Sequence, residues 1–326
     1  MKMDFTNPRA VAQAIAEGHS LTFAEAAVLA DAPLSELQEG ANFLRRKFLG
    51  DKSNLCTIIN ARSGLCPEDC RYCAQSVHYK TACSVHPLVS GEEALALAKE
   101  NENAGAKRFS LVTSGRCLSN EDFAAVLDII RLLKRETGLA VCASLGFLTT
   151  PRANALFEAG LSFYHHNLES SREFFAKTCT THTFEDRVKT VKLARAAGLK
   201  VCCGGIFGLG ESRQDRLSMA FSIRDLGAES VPLNVLNPIP GTPLENVTPV
   251  RTDEVLRCMA LYRFILPGVS IRFAGGRELL GGDGIVSALN GGVDSAISGD
   301  MLTTSGAKIR SDLELFAKCG CDCTWE

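Results

Sequence analysis

The feature that most constrains the fold is a repeated alternation of short apolar runs with longer amphipathic segments, which starts near residue 55. The apolar runs have the length of strands, and the segments between them carry apolar residues at the spacing of a helix. A strand, a helix and another strand recurring at about 30 residues are typical of right-handed crossovers in a parallel sheet. The predicted strands cover residues 55–60, 108–113, 140–145, 162–166, 200–207, 230–236, 269–273 and 295–298.

Eight predicted strands favour an α/β fold of the (β/α)8 TIM-barrel type over residues 51–308. A helical extension is expected over residues 1–50, with Thr22 as a helix N-cap, and a helix with a cysteine-rich tail over 309–326. An open, doubly wound sheet is the alternative, because periodicity alone does not show closure. On a barrel, reactive groups lie at the carboxyl ends of the strands and in the loops that follow.

Charge and cysteine content narrow the class of protein. The chain has 35 Lys and Arg against 37 Asp and Glu, so no basic surface is expected for nucleic acid. No apolar run reaches the length of a membrane span and the amino terminus has no signal-peptide pattern, so we expect a cytoplasmic protein. Because a reducing compartment keeps cysteines as thiols, the 14 cysteines indicate metal or redox chemistry.

Three cysteines stand in the run CPEDCRYC at residues 66–73, directly after the first predicted strand. Three thiolates without a fourth neighbouring ligand would leave one iron of a four-iron cluster open to a substrate. A structural zinc site instead needs four closed ligands. The spacing of Cys66, Cys70 and Cys73 therefore favours a cluster over zinc.

The segment CPEDCRYCAQ at residues 66–75 resembles the radical S-adenosylmethionine (radical SAM) signature, in the form found in the biotin synthase family. The similarity extends from about residue 35 to residue 318. It implies a sulfurtransferase that converts dethiobiotin to biotin. It also implies that the three cysteines hold a 4Fe-4S cluster, which binds S-adenosylmethionine and yields a 5′-deoxyadenosyl radical.

The same resemblance implies roles for residues further along the chain. Tyr72 would lie against the adenine, and YHHNLE at residues 164–169 matches a family segment in which asparagine is commoner than His165. Cofactor contacts are implied for Tyr72, Asn167, Glu169, Arg187, Gly204, Gly205 and Ile206. Substrate contacts are implied for Asn167, Asn234, Thr303 and Thr304, and catalytic roles for Asn167, Asn234 and Arg272. A solvated helix-surface arginine is the alternative for Arg187.

The sequence departs from the family at a second, auxiliary cluster. Biotin synthases commonly hold a sulfur-donating 2Fe-2S cluster with three cysteines and one arginine, and Cys142, Cys202 and Arg272 match three of these positions. The fourth position is Ser110, whose neutral hydroxyl is a poor iron ligand. Ser110 therefore predicts an altered set of ligands for the auxiliary cluster.

The tail brings three further thiols, Cys319, Cys321 and Cys323. We hypothesise that the tail folds under the barrel and supplies thiolates to a four-iron auxiliary cluster near Cys142, Cys202 and Arg272. A thiol relay and an exposed zinc site are the alternatives. We expect the remaining cysteines to be small buried residues. These are Cys56, Cys83, Cys117, Cys179, Cys203 and Cys258.

Alternatives for the whole protein are another radical SAM barrel, such as a methylornithine synthase or a hydrogenase-maturation enzyme, and a non-catalytic iron–sulfur carrier. A carrier needs no nucleotide-contact motifs, which argues against it. The resemblance implies a homodimer, a flavodoxin- or ferredoxin-type electron donor and iron–sulfur assembly proteins as partners.

Overall fold

The chain folds as a closed parallel barrel. The computed structural model describes residues 4–304 and 306–323. Its strands are β1 (Asn54–Arg62), β2 (Arg108–Thr113), β3 (Ala140–Ser144), β4 (Phe163–His165), β5 (Lys200–Cys202), β6 (Gly205–Phe207), β7 (Ser230–Val235), β8 (Ser270–Phe273) and β9 (Ser295–Ser298). The strand β1 pairs with both β2 and β9, and β5 pairs with β7, so the sheet closes on itself. The barrel prediction is confirmed and the open sheet is excluded.

The strand expected over residues 200–207 is divided into β5 and β6, which share one position in the barrel. The neighbouring strand β7 carries Pro232, which has no N–H to donate across the sheet. At Gly204 the two backbones come so close that a Cβ atom would lie 1.8 Å from the Pro232 carbonyl oxygen. Pairing therefore stops at Cys202 with Ser230 and resumes at Gly205 with Leu233.

Helices precede the barrel and alternate with its strands. They are α1 (Pro8–Ala16), α2 (Phe23–Leu29), α3 (Leu34–Leu49), α4 (Gly91–Asn103), α5 (Asn120–Glu136), α6 (Thr150–Glu158), α7 (Phe184–Ala196), α8 (Arg213–Asp225), α9 (Thr252–Ile265), α10 (Gly281–Asn290) and α11 (Ile309–Lys318). Thr22 caps α2 in a reciprocal capping box with Glu25, as the sequence predicts. No helix in the described part of the chain is long and apolar enough to cross a bilayer.

The amino-terminal helices pack against helices on the outside of the barrel. The apolar face of α3 buries Leu37 and Leu44 completely. The Gln38 side chain donates to Ser287 Oγ on α10 over 2.8 Å, and Arg257 on α9 donates to the Ala30 carbonyl over 2.9 Å. These contacts make the extension a cover for one side of the barrel.

The last helix returns the chain to the amino-terminal end of the barrel. Asp312 on α11 is buried and accepts two hydrogen bonds from Arg277, at 2.6 and 2.8 Å, and one from Ser298. Beyond α11, the Asp322 carbonyl accepts a hydrogen bond from Ser53 N, directly before β1. The tail thus lies beside the start of β1, at the end opposite the loops that follow the strands.

Candidate active site and metal centres

One cavity of about 400 Å³ runs from the loops after the strands into the barrel interior. It collects predicted site residues that are far apart in sequence. Those that line it are Cys66, Cys70, Tyr72, Cys73, Cys142, Asn167, Glu169, Arg187, Cys202, Ile206, Asn234, Arg272, Thr303 and Thr304. These predicted cofactor, substrate and metal residues therefore face a shared space.

The cysteine loop forms the outer end of this cavity. It is held by a hydrogen bond from Cys66 N to the Gln75 carbonyl at 3.0 Å and one from Cys73 N to the Cys70 carbonyl at 2.9 Å. Burial raises the pKa of the Cys66 thiol, and it raises that of Cys73 to about 11. Such thiols become thiolates when a metal supplies positive charge, so the loop fits an iron–sulfur cluster.

Behind Cys70 lies a group that the sequence did not single out. The Cys70 and Cys179 sulfurs and a His182 ring nitrogen lie within 4.8 Å of one another. The Cys179 thiol donates to Asp69 Oδ1 over 3.0 Å. Cys179 is buried as expected, but it contacts the cluster loop and does not act only as core packing.

Asn167, Glu169 and Arg187 form one hydrogen-bonded wall. Arg187 Nη1 donates to the Asn167 carbonyl over 2.9 Å and lies 3.6 Å from a Glu169 oxygen. The Asn167 side chain accepts from Gly204 N over 3.0 Å and donates to Glu169 over 3.3 Å. Arg187 is buried, so it is not a solvated surface arginine. Glu169 has a left-handed φ of 69°, the kind of backbone strain that concentrates at functional sites.

Tyr72 and Ile206 supply the apolar side of the same region. Ile206 packs in a small buried cluster with Phe174 and Leu209, and Tyr72 packs against this cluster. Gly204 and Gly205 are absent from the described lining of the cavity. A Cβ on Gly205 would lie 2.3 Å from the Met219 sulfur, so packing between the strands and α8 also requires glycine there.

Asn234 and the two threonines line the cavity from β7 and from the loop after β9. The Asn234 amide donates to the Gly205 carbonyl over 3.1 Å and accepts from Gly275 N over 2.9 Å, which ties β6 to the loop after β8. Thr303 and Thr304 lie in the loop after β9, where the Thr304 carbonyl accepts from Met301 N over 2.9 Å. Asn234, Thr303 and Thr304 can therefore present polar groups to a ligand in the cavity.

The inner end of the cavity is lined by three cysteines. Cys142 and Cys202 come from β3 and β5, as predicted, and Cys56 comes from β1. Hydrogen bonding with the Cys142 thiol lowers the pKa of Cys56, although burial opposes it. The sequence did not identify Cys56 because its position has no counterpart in the family pattern.

Cationic side chains surround these thiols. Arg272 is almost fully buried and donates to Ser230 Oγ over 2.8 Å and Asn54 Oδ1 over 3.0 Å. Burial lowers the pKa of His165, but the neighbouring Cys202 thiolate outweighs this and raises it. Positive groups around three thiols fit an anionic iron–sulfur cluster. Ser110 also lines the cavity, and its backbone pairs with Cys142.

The tail cysteines lie elsewhere. None of Cys319, Cys321 and Cys323 is among the described residues that line the cavity. The Cys321 sulfur lies 3.9 Å from Arg45 Nη1, and both Cys321 and Cys323 are buried against the core. The structure thus does not bring the tail thiols together with Cys142, Cys202 and Arg272.

Comparisons with known proteins agree with this site. A sequence profile described as Radical SAM superfamily matches residues 62–223, and one described as Biotin and Thiamin Synthesis associated domain matches residues 232–322. Together with the barrel and the CPEDCRYC loop, these two profile matches place the chain among radical SAM enzymes. The biotin synthase of Acetivibrio thermocellus is 50% identical over 306 residues, which are 93% of this chain and 95% of that protein. The chain belongs to the biotin synthase family.

A second relative supports the family assignment, and two solved structures show the shared fold. The biotin synthase of Campylobacter hominis is 49% identical over 94% of each chain. A methylornithine synthase structure has a TM-score of 0.83 at 21% identity over 96% of each chain. The hydrogenase maturase HydG also has a TM-score of 0.83, at 16% identity over 98% of this chain and 75% of its own. The two solved structures share the fold, and the closer relatives identify an enzyme family and not a carrier.

Proposed function

We propose that this protein converts dethiobiotin to biotin by inserting sulfur between two unactivated carbons. The observation that carries the proposal is the single cavity with cysteines at both ends, Cys66, Cys70 and Cys73 outside and Cys56, Cys142 and Cys202 inside. Unactivated C–H bonds have no acidic proton, so acid–base catalysis cannot break them and a cofactor is needed.

The outer cysteines would hold the 4Fe-4S cluster. When bound, this cluster and S-adenosylmethionine supply a carbon-centred radical that abstracts hydrogen, and the auxiliary cluster supplies sulfur. The chain's own residues orient the cofactor: Arg187 offers cationic N–H donors to a carboxylate. Glu169 offers acceptors to ribose hydroxyls, and Tyr72 and Ile206 offer an apolar face to the adenine. Gly204 and Gly205 would contribute backbone to the same region.

The substrate would lie between the two ends of the cavity. Asn167 and Asn234 line the cavity on either side of Gly204 and Gly205 and carry amides that match the ureido group of dethiobiotin. Thr303 and Thr304 would bind its carboxylate tail. The walls would hold the substrate between the two metal centres and away from water. The reacting carbon atoms would then lie next to the sulfur that is to be inserted.

The inner cysteines would hold the auxiliary cluster, with Arg272 beside it. Cys56 supplies the third thiol that the family pattern places at the position of Ser110. We propose a four-iron type, in which an iron without a cysteine ligand would carry the sulfide for transfer. The 2Fe-2S type, which three cysteines and one arginine hold in the family, is the alternative for the same residues. Cys319, Cys321 and Cys323 are absent from the described lining of the cavity, so the tail thiolates become the alternative ligand set, which no observation tests.

The reaction needs reducing electrons from outside the chain, and a flavodoxin- or ferredoxin-type protein is the proposed donor. Iron–sulfur assembly proteins would load the clusters, and a homodimer is the proposed assembly.

The experiment is anaerobic turnover of reconstituted protein with S-adenosylmethionine, a reductant and dethiobiotin, with biotin measured by mass spectrometry. Biotin formed by the parent, and lost in both Cys66→Ser and Cys142→Ser, supports the proposal. The Cys142→Ser variant should still cleave S-adenosylmethionine, because it leaves the outer loop intact. Cleavage without biotin in the parent would refute the proposed function.

A further inference from the structure

His182 occupies a buried position between the cluster loop and Arg187. It directly precedes Thr183, the N-cap of α7, and its side chain is 2% exposed. Neither the sequence patterns nor the resemblance gave it a role. Its ring lines the cavity together with Glu68, which stands between Cys66 and Cys70 in the loop.

The hydrogen bonds fix the tautomer of this histidine. Arg187 Nε lies 3.1 Å from His182 Nε2, and a guanidinium can only donate, so Nε2 is the acceptor. The ring proton is then on Nδ1, which donates to Glu68 Oε2 and also lies 3.2 Å from the Cys179 sulfur. The chain of hydrogen bonds therefore runs from Arg187 through the His182 ring to the Glu68 carboxylate.

Further contacts anchor the Glu68 carboxylate and the His182 ring. Thr181 Oγ1 donates to Glu68 Oε2 over 2.6 Å, and Arg116 Nη1 donates to Glu68 Oε1 over 3.1 Å. Two aromatic rings hold the imidazole plane, with centroids 5.1 Å away for Phe147 and 5.5 Å away for Phe175. The ring cannot turn without breaking these contacts.

Arg187 is oriented as a consequence. His182 holds Nε and the Asn167 carbonyl holds Nη1, so the guanidinium plane is fixed where it lines the cavity. A single residue thus connects the loop between two cluster cysteines to the arginine on the cofactor wall.

We propose that His182 is a positioning residue, which transmits the placement of the cluster loop through Glu68 to Arg187 and so sets the affinity for S-adenosylmethionine. This rests on the proposed function in one respect, that Arg187 faces the carboxylate of the cofactor. Formation of the cluster then fixes Glu68, and Glu68 fixes the arginine through the ring. Binding of the cofactor is coupled to a correctly formed loop.

The test compares His182→Phe with His182→Gln in reconstituted protein. Phenylalanine keeps the ring packing and removes the polar contacts with Arg187, Glu68 and Cys179, while glutamine keeps an acceptor and a donor. We expect His182→Phe to weaken S-adenosylmethionine binding between about 10-fold and about 100-fold, since a hydrogen bond to a charged group is lost. His182→Gln should retain part of the affinity for S-adenosylmethionine that His182→Phe loses. The iron content of both variants should equal that of the parent.

His78 provides the matched control. Its Nε2 contacts the Pro67 carbonyl of the same loop at 3.0 Å, but it does not contact Arg187. His78→Phe should leave the dissociation constant for S-adenosylmethionine unchanged. In a double-mutant cycle, adding Glu68→Gln to His182→Phe should weaken binding by less than Glu68→Gln does alone, because the connection is already broken.

Two results would overturn the proposal: an unchanged dissociation constant in His182→Phe, or equal losses in His182→Phe and His78→Phe. Binding is measured without dethiobiotin, so it does not depend on sulfur insertion. A parent that binds S-adenosylmethionine but forms no biotin would refute the proposed function, and the comparison of variants would still decide this inference.

Discussion

In the barrel interior, a cysteine on β1 stands next to the position where the family pattern has one on β2. Cys56 and Ser110 both face the cavity, and Ser110 pairs in register with Ile58, two residues beyond Cys56 on β1. Side chains two apart on a strand share a face, so both positions are directed at the same interior. Moving the thiol by one strand therefore preserves the number of inner thiols.

This exchange predicts a rescue. In Cys56→Ser we expect the auxiliary cluster to be lost, and in Cys56→Ser with Ser110→Cys we expect at least part of it to return. The measurement is iron and acid-labile sulfide per chain. A double variant with no more iron than the single variant would show that the two positions are not equivalent.

Gly204 is required by packing, whatever it does for the cofactor. In Gly204→Ala the new Cβ would lie 1.8 Å from the Pro232 carbonyl oxygen, a clash that backbone must relieve. We expect a loss of about 1–3 kcal/mol of unfolding free energy, measured by chemical denaturation. Gly282→Ala is the control, because nothing lies within 4 Å of a Cβ there. Equal stability of the two variants would contradict this packing role.

Among the elements, α7 connects the site to the barrel through its first turn. Thr183 caps the helix in a reciprocal box with Asp186, and Arg187 follows directly. Hydrogen bonds from the Thr183 backbone and hydroxyl lower the pKa of Asp186. The helix start therefore positions the arginine that lines the cavity.

The lowered pKa gives a pH dependence with a definite sign. The carboxylate stabilises the fold above its unfolded pKa of about 3.9, and this contribution is lost as pH falls through the lower folded value. We expect Asp186→Ala to be less stable than the parent by about 1 kcal/mol at pH 7. The difference should shrink below pH 4, as denaturation curves at several pH values would show. A stability difference between the parent and Asp186→Ala that does not change with pH would contradict this role of the carboxylate.

The helix α11 is held by one buried ion pair. Asp312 accepts hydrogen bonds from Arg277 and Ser298, and all three side chains are buried. In Asp312→Asn the Arg277 charge loses its partner, so we expect faster amide hydrogen exchange over residues 309–318. Exchange in α5, on another side of the barrel, serves as the internal control. Unchanged exchange in α11 would show that the helix does not depend on this pair.

The elements show what the sequence could predict. The barrel strands were predicted because apolar runs and amphipathic segments alternate, and residues 108–113 and 295–298 match β2 and β9 in full. The split of the fifth strand was missed, because it depends on Pro232 of the neighbouring strand. Motif residues such as Cys66 and Arg187 were predicted from the resemblance. His182 and Cys56 were missed, because their roles come from contacts between distant segments.

At the scale of the whole molecule, the fold builds one cavity with a group of thiols at each end. The outer group lies on a loop after β1, and the inner group comes from β1, β3 and β5. The barrel walls line the space between the two groups. The tail cysteines lie beside the start of β1, outside this space.

We infer that the inner cysteines, and not those of the tail, hold the second cluster. Iron and sulfide analysis with Mössbauer spectra should compare the parent, Cys56→Ser and a chain that ends at Lys318. We predict about eight irons in the parent and in the shortened chain, and about four in Cys56→Ser. About four irons in the shortened chain, with about eight in Cys56→Ser, would contradict the account and assign the second cluster to the tail.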